Sequence, residues 1–240
     1  MRVRIRFTKR GKVRFTSHRD VARIWERSLR RAALPIALTE GFSPRPKMHF
    51  GLALSTGHES WGEYLDVDLR EPEGSDVDVA TLPALLSPLL PAGMDVEAAA
   101  VIERSLPSLQ EAVIACRWRI EVPGLAVAER HVAVERVLAA TELPVSRERK
   151  GKTVVDDIRP AILELAVSGD GLLETELATQ PRGVRPQELL NAMANVMASD
   201  VPLEEGLVCR THQWIVLDGA RREPLSLDAT RAPHVHARAS

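Results

Sequence analysis

At 240 residues, 45% apolar and 27% charged, the chain is globular in composition and long enough for one large domain or two small ones. No stretch approaches the roughly 20 uninterrupted apolar residues of a membrane span, and the amino terminus lacks an apolar signal run, which excludes membrane insertion, secretion and collagen-like or wholly disordered states. The net charge of −1 conceals an asymmetry: residues 1–50 hold 14 Lys and Arg against 3 acidic residues, residues 51–150 hold 9 against 17, and residues 151–240 hold 9 against 13.

In chain order, Val3, Ile5 and Phe7 alternate with Arg2, Arg4 and Arg6, the period-two pattern of a half-buried strand. After a turn near Gly11, Ser17 and Asp20 have capping-box spacing. Val21, Ile24, Trp25, Ser28, Leu29 and Ala32 then form one helical stripe that Pro35 ends. A loop of turn residues, Gly41 to Lys47, leads to a predicted strand from Met48 to Leu54. Leu65, Val67 and Leu69 alternate with Tyr64, Asp66 and Asp68 in the next. A short helix over residues 82–89 and a strand over 94–102 complete the order β-α-β-β-α-β, the ferredoxin-like pattern.

The second half repeats that order. Cys116 to Val122 reads as a strand, and Val127 to Leu138 as a helix with Val127, Val134 and Leu138 on its apolar face. Val145–Arg149 and Ala161–Val167 read as strands. Asp170-Gly171 is a hairpin signal before Leu172–Ala178. Pro186 opens a helix at its preferred first position, with Leu189, Leu190, Met193 and Met197 inward, and Leu207–Val216 closes the set. The expected fold is α+β: tandem ferredoxin-like βαββαβ modules over residues 1–104 and 108–217, with Trp25 and Trp118 in their cores. A mobile tail is expected over residues 218–240.

The basic block suits an anionic partner, nucleic acid being the commonest, unless the acidic remainder folds back to neutralise it. Ser17-His18-Arg19-Asp20 open a helix whose free N–H groups favour anions. The stiff Gly41–Lys47 loop adds Arg45, a bidentate donor, and Lys47, a point charge. His18, Arg19, Arg45 and Lys47 are therefore expected to converge on one anion site. The alternative is that Arg45 and Lys47 pair with Glu59, Glu63 or Asp66. Arg19, Arg23, Arg27 and Arg30 line one helix face that could track a phosphate backbone, unless Glu26 neutralises part of it. Arg2, Arg4 and Arg6, by contrast, are expected to form cross-strand ion pairs with the acids of residues 66 and 68.

Enzymatic signals are poor. Adjacent Ser17, His18 and Asp20 cannot adopt triad geometry by sequence proximity. His18, His49 and His58 with Glu59 or Glu63 match no recurrent metal-ligand spacing. Neither a phosphate-binding loop nor a dinucleotide fingerprint occurs. No catalytic residue, metal or cofactor is assigned. Two cysteines, Cys116 and Cys209, build no disulfide framework. Cys116 alternates with core positions as an inert buried thiol, and the location expected is cytoplasmic, with thiols reduced.

Several segments carry a family likeness: Phe15-Thr16-Ser17-His18-Arg19-Asp20, the Gly41–Lys47 loop with Phe50-Gly51, Leu54-Ser55-x-Gly57, Glu63-Tyr64-x-Asp66, and Lys152 through Pro160. Together they resemble the radical-SAM-linked domain of unknown function numbered 2344, over about residues 2–217. The resemblance implies company rather than a reaction. Members are encoded beside, or fused behind, a radical SAM protein, often near genes for an E/G-type ribonuclease and large-subunit ribosomal proteins. This chain lacks the three-cysteine motif that holds an iron–sulfur cluster, and so resembles the stand-alone accessory form. Its tandem order with an arginine-lined first helix is also similar in topology to CRISPR RNA-processing proteins. The leading expectation is a non-catalytic accessory or substrate-presenting partner of a nearby-encoded radical SAM protein, acting on RNA or a ribosomal component. The alternatives are an independent RNA-binding protein, or an enzyme using His18, Lys47 and Glu63 on a phosphorylated substrate.

Overall fold

A computed structural model of the chain describes residues 1–149 and 151–225. It is a mixed α+β structure whose strand pairs are mostly antiparallel. Two compact units divide it: Met1–Thr56, Gly62–Ala112 and the chain from Arg222 form the first, Gly57–Trp61 and Val113–Arg221 the second. Among the described residues, no helix is long and apolar enough to cross a membrane.

The first unit runs β1 (Arg2–Lys9), α1 (His18–Arg31), β2 (Met48–Phe50), β3 (Glu59–Asp68), α2 (Leu82–Leu86), β4 (Val96–Ile102) and α3 (Leu109–Ala112). Its strands stand in the order β4-β1-β3, with β2 on β3. The Ser17 hydroxyl accepts from the Asp20 N–H at 3.2 Å and caps α1, as the spacing predicted. Val21, Trp25 and Leu29 of α1 then share one apolar cluster with Val3, Ile5 and Phe7 of β1, Leu65 and Val67 of β3, and Leu86 of α2. Phe7 and Trp25 meet edge to face, 4.9 Å between centroids. The strand expected from Met48 to Leu54 is shorter, because its ladder to β3 covers only Met48–Phe50 opposite Val67–Leu65.

The second unit runs β5 (Val113–Ile120), α4 (Val127–Ala139), β6 (Pro144–Arg149), β7 (Lys152–Asp157), β8 (Ile162–Val167), β9 (Leu173–Ala178), α5 (Pro186–Val196), β10 (Val208–Leu217) and β11 (Ala220–Arg222). The order is β10-β5-β9-β8, each pair antiparallel. The start of β3 belongs to this unit, where Glu59 and Ser60 lie parallel to Cys209 and Arg210 of β10. β6 and β7 form a separate hairpin. The buried stripe of α4 is Ala133, Val134 and Val137, whereas Val127 and Leu138 are 47% and 42% exposed. The stripe is thus rotated from the one that Val127, Val134 and Leu138 would form. Of the expected tail, Ala220–Arg222 pair with β10 and Leu225 is buried; residues 226–240 lie outside the described residues.

Trp25 is 0% exposed and Trp118 7%. Trp25→Ala is expected to cost about 3–5 kcal/mol in urea unfolding, against under about 1 kcal/mol were the site able to refill.

Candidate functional site: a basic helix ridge

The arginines of β1 are spoken for. Alternation places Arg2, Arg4 and Arg6 on the face of β1 opposite its apolar residues. Arg4 donates from Nε and Nη2 to the two Asp66 oxygens at 2.7 and 2.8 Å, with side chains only 3% and 4% exposed. Arg2 grips Asp68 the same way at 2.7 and 3.1 Å. Arg6 reaches Glu97 at 3.0 Å and Glu223 at 2.6 Å. The Tyr64 hydroxyl also donates to Glu223, at 3.3 Å, and burial pushes its phenol well above the usual tyrosine range. Tyr64 and Leu225 are buried together with Ala98 and Leu109. These are the cross-strand pairs the alternation predicted, extended by a carboxylate from near the end of the described chain.

The arginines of α1 are arranged differently. At about 100° per residue, Arg19, Arg23, Arg27 and Arg30 fall opposite the buried stripe of Val21, Trp25, Ser28 and Leu29, and all four are exposed. Arg23 meets Asp20 at 3.3 Å. Among the described residues Arg19, Arg27 and Arg30 form no ion pair, and Glu26 does not engage Arg30. The ridge keeps its charge.

The four residues expected to converge lie on two segments, His18 and Arg19 at the start of α1 and Arg45 and Lys47 in the loop ahead of β2. Ile36 bridges Leu69 and Leu38 bridges Pro46, while the Thr39 N–H donates to the Arg45 carbonyl at 2.8 Å and the Lys47 N–H to the Ala37 carbonyl at 2.8 Å. Arg45 and Lys47 therefore stand on one narrow hairpin, with Phe42 fully exposed at its tip. Neither forms an ion pair among the described residues, so the expected neutralisation by Glu59, Glu63 or Asp66 is absent there. His18 sets its ring edge-on against Phe50, 5.2 Å between centroids.

His18 instead lines a water-sized cleft of about 20 Å³ with Lys9, Glu63 and Tyr64, and neither Arg45 nor Lys47 reaches it. Sequence reasoning missed Lys9, although a signal was present. Lys9 continues the Val3, Ile5, Phe7 alternation where an apolar residue belongs. Its ammonium, on a residue 3% exposed, donates to the Arg14 and Thr16 carbonyls at 3.0 and 3.2 Å, anchoring the turn ahead of α1. Of the trio suggested for phosphoryl chemistry, His18 and Glu63 line the cleft, together with Lys9.

Among the described residues no three His, Cys, Asp or Glu side chains are grouped to hold a metal ion. His49 lies 3.4 Å from Asp68, and His58 2.8 Å from Glu205. Cys116 and Cys209 are separate buried thiols.

A family model described as "Uncharacterized protein conserved in bacteria (DUF2344)" matches residues 2–203, and the chain belongs to that family. No curated protein matches it.

Burial alone would raise the Asp68 carboxyl, but the hydrogen bond and charge of Arg2, with a contribution from His49, outweigh it and hold the group below its ordinary 3.8. A depressed carboxylate contributes stability above its unfolded pKa, and that contribution is lost as pH falls through the folded value. Asp68→Asn is therefore expected to flatten the loss of stability on acidification below about pH 4, read from urea midpoints across that range. An unchanged slope would mean that Arg2 gains nothing from the ionised form.

Proposed function

We propose that this family member is a non-catalytic accessory protein that holds an anionic partner, RNA or a ribosomal component, on the α1 ridge and presents it to a radical SAM enzyme. One observation carries the reading: the contrast between two sets of arginines in one unit. Those of β1 each grip a carboxylate, whereas Arg19, Arg27 and Arg30 stand exposed without one among the described residues. Cations repeated at three- and four-residue steps along a helix suit a ligand with repeated phosphates.

The radical SAM partner rests on the family likeness of the quoted segments. Two isolated cysteines cannot supply the three thiolates of that enzyme's cluster, so these residues are read as the accessory part. In this reading each unit is a ferredoxin-like module. The orders β4-β1-β3-β2 and β10-β5-β9-β8 support that, with β6–β7 as an insertion in the second. A cytoplasmic location belongs to the same proposal.

A second reading, an independent RNA-binding protein, is favoured by two exposed rings. Phe15, just ahead of α1, is 61% exposed with the Arg14 guanidinium 4.6 Å from its centre, and Phe42 is fully exposed. Exposed aromatics beside cations are the stacking platforms of single-strand binders.

Two measurements separate these. Pull-down with the adjacently encoded radical SAM protein is expected to recover a complex, and failure leaves the independent binder ahead. In filter binding, the fourfold variant R19A/R23A/R27A/R30A is expected to lose RNA affinity, with a log–log salt slope shallower by about 3 and thermal unfolding unchanged. Wild-type affinity in that variant would overturn the ridge.

A further inference from the structure

The second unit carries a groove that the α1 ridge does not use. Its volume is about 620 Å³, inside the range of small-molecule sites. One wall is β6, at Ser146–Glu148; the other is the loop Pro181–Arg185 with the first turns of α5.

A chain of alternating charges fixes the two walls. Asp156 of β7 accepts from Arg147 Nε at 2.6 Å and lies 2.9 Å from Arg182 Nε. Arg182 continues through Nη1 to both oxygens of Glu188 on α5, at 2.9 and 3.2 Å. The hairpin is thereby tied to the helix, and Arg182 Nη2 is left buried without a partner among the described residues. Asp157, beside Asp156, is engaged elsewhere, accepting from the Leu143 and Arg159 N–H groups and setting the ends of the hairpin.

Two half-buried amides along the groove keep atoms that no protein group among the described residues engages. Gln187 donates both amide hydrogens, to Asn191 Oδ1 and to the Leu203 carbonyl, each at 3.0 Å. Its Oε1 is left as an acceptor and Asn191 Nδ2 as a donor, one helical turn apart, with no protein partner among the described residues. Arg185, exposed at the entrance to α5, forms no ion pair among the described residues. Its own N–H is taken by Glu188 Oε2 at 2.9 Å, which leaves the guanidinium as the group that faces outward.

We infer that this groove binds a nucleotide, with the phosphate on Arg185 at the start of α5 and the base edge on the Gln187–Asn191 amide pair. A neighbouring donor and acceptor complement the polar edge of a nucleobase, and a guanidinium without a carboxylate partner complements a phosphate. Inorganic phosphate would leave the amide pair and most of the volume unused. The inference does not depend on the function of α1.

Calorimetric titration of the full chain with the four ribonucleoside 5′-monophosphates, the parent nucleosides and inorganic phosphate tests it. At least one nucleotide is expected to bind more tightly than its nucleoside and than phosphate. Arg185→Ala should weaken that nucleotide by at least about tenfold and leave the nucleoside unchanged. Asn191→Asp, which keeps the acceptor for Gln187 but removes the free donor, should alter the preference among bases. Neither residue belongs to the Arg147–Asp156–Arg182–Glu188 chain, so thermal unfolding should be unaffected. Three results would overturn the site: no nucleotide binding at millimolar concentration, phosphate binding as tightly as any nucleotide, or binding lost in R27A/R30A while kept in Arg185→Ala.

Discussion

The bidentate pair between Arg4 and Asp66 is the constraint on which the first unit depends. Both side chains are almost wholly buried, and a buried charge deprived of its partner costs several kcal/mol, about 3–5 in measured cases. β1 must therefore lie beside β3 with these two residues level. Because strand side chains alternate, a slip of one residue would turn Arg4 into the layer occupied by Val3, Ile5 and Phe7. The apolar face of the strands gives cohesion under α1; the charged face gives register. Leu109, Ala98 and Leu225 around Tyr64 complete the cover on that second side.

Much of this was legible locally. Ser17 with Asp20, and the apolar steps from Val21 to Ala32, state the start and inner face of α1 within sixteen residues. The alternations in β1 and β3 state which residues oppose each other once the strands are neighbours. What was not legible depends on partners remote in sequence. Arg4 and Asp66 are 62 residues apart, Arg6 and Glu223 are 217. The hairpin strand at Lys152–Asp157 escaped because Val154 and Val155 are adjacent rather than alternating, and it buries little, Val155 being 60% exposed. His18 and Arg19 were grouped in the sequence because both open α1 beside its free N–H groups. On a helix, neighbours look in different directions.

The same geometry explains why the charge count of the first fifty residues was ambiguous. Fourteen cations are there, but they belong to different populations. Arg2, Arg4, Arg6 and Lys9 are structural, each directed at a carboxylate or carbonyl. Arg19, Arg27, Arg30, Arg45 and Lys47 form no ion pair among the described residues. Summed charge weighs both equally; only the identity of each neighbour separates the cations that hold the fold from those that face outward.

The Glu223 contact has a consequence for the order of assembly. Arg6 is made well before its second carboxylate, which follows 217 residues later, an interval of about 10–40 s at ordinary elongation rates. Until then Arg6 lacks the Glu223 carboxylate, the Tyr64 hydroxyl lacks that acceptor, and the place of Leu225 is empty. Of the two units, the one whose synthesis starts earlier is consequently the last to be sealed. A nascent chain can form the apolar side of its leading strands early, but the charged side closes only when the residues beyond 222 have been made and have travelled back to it.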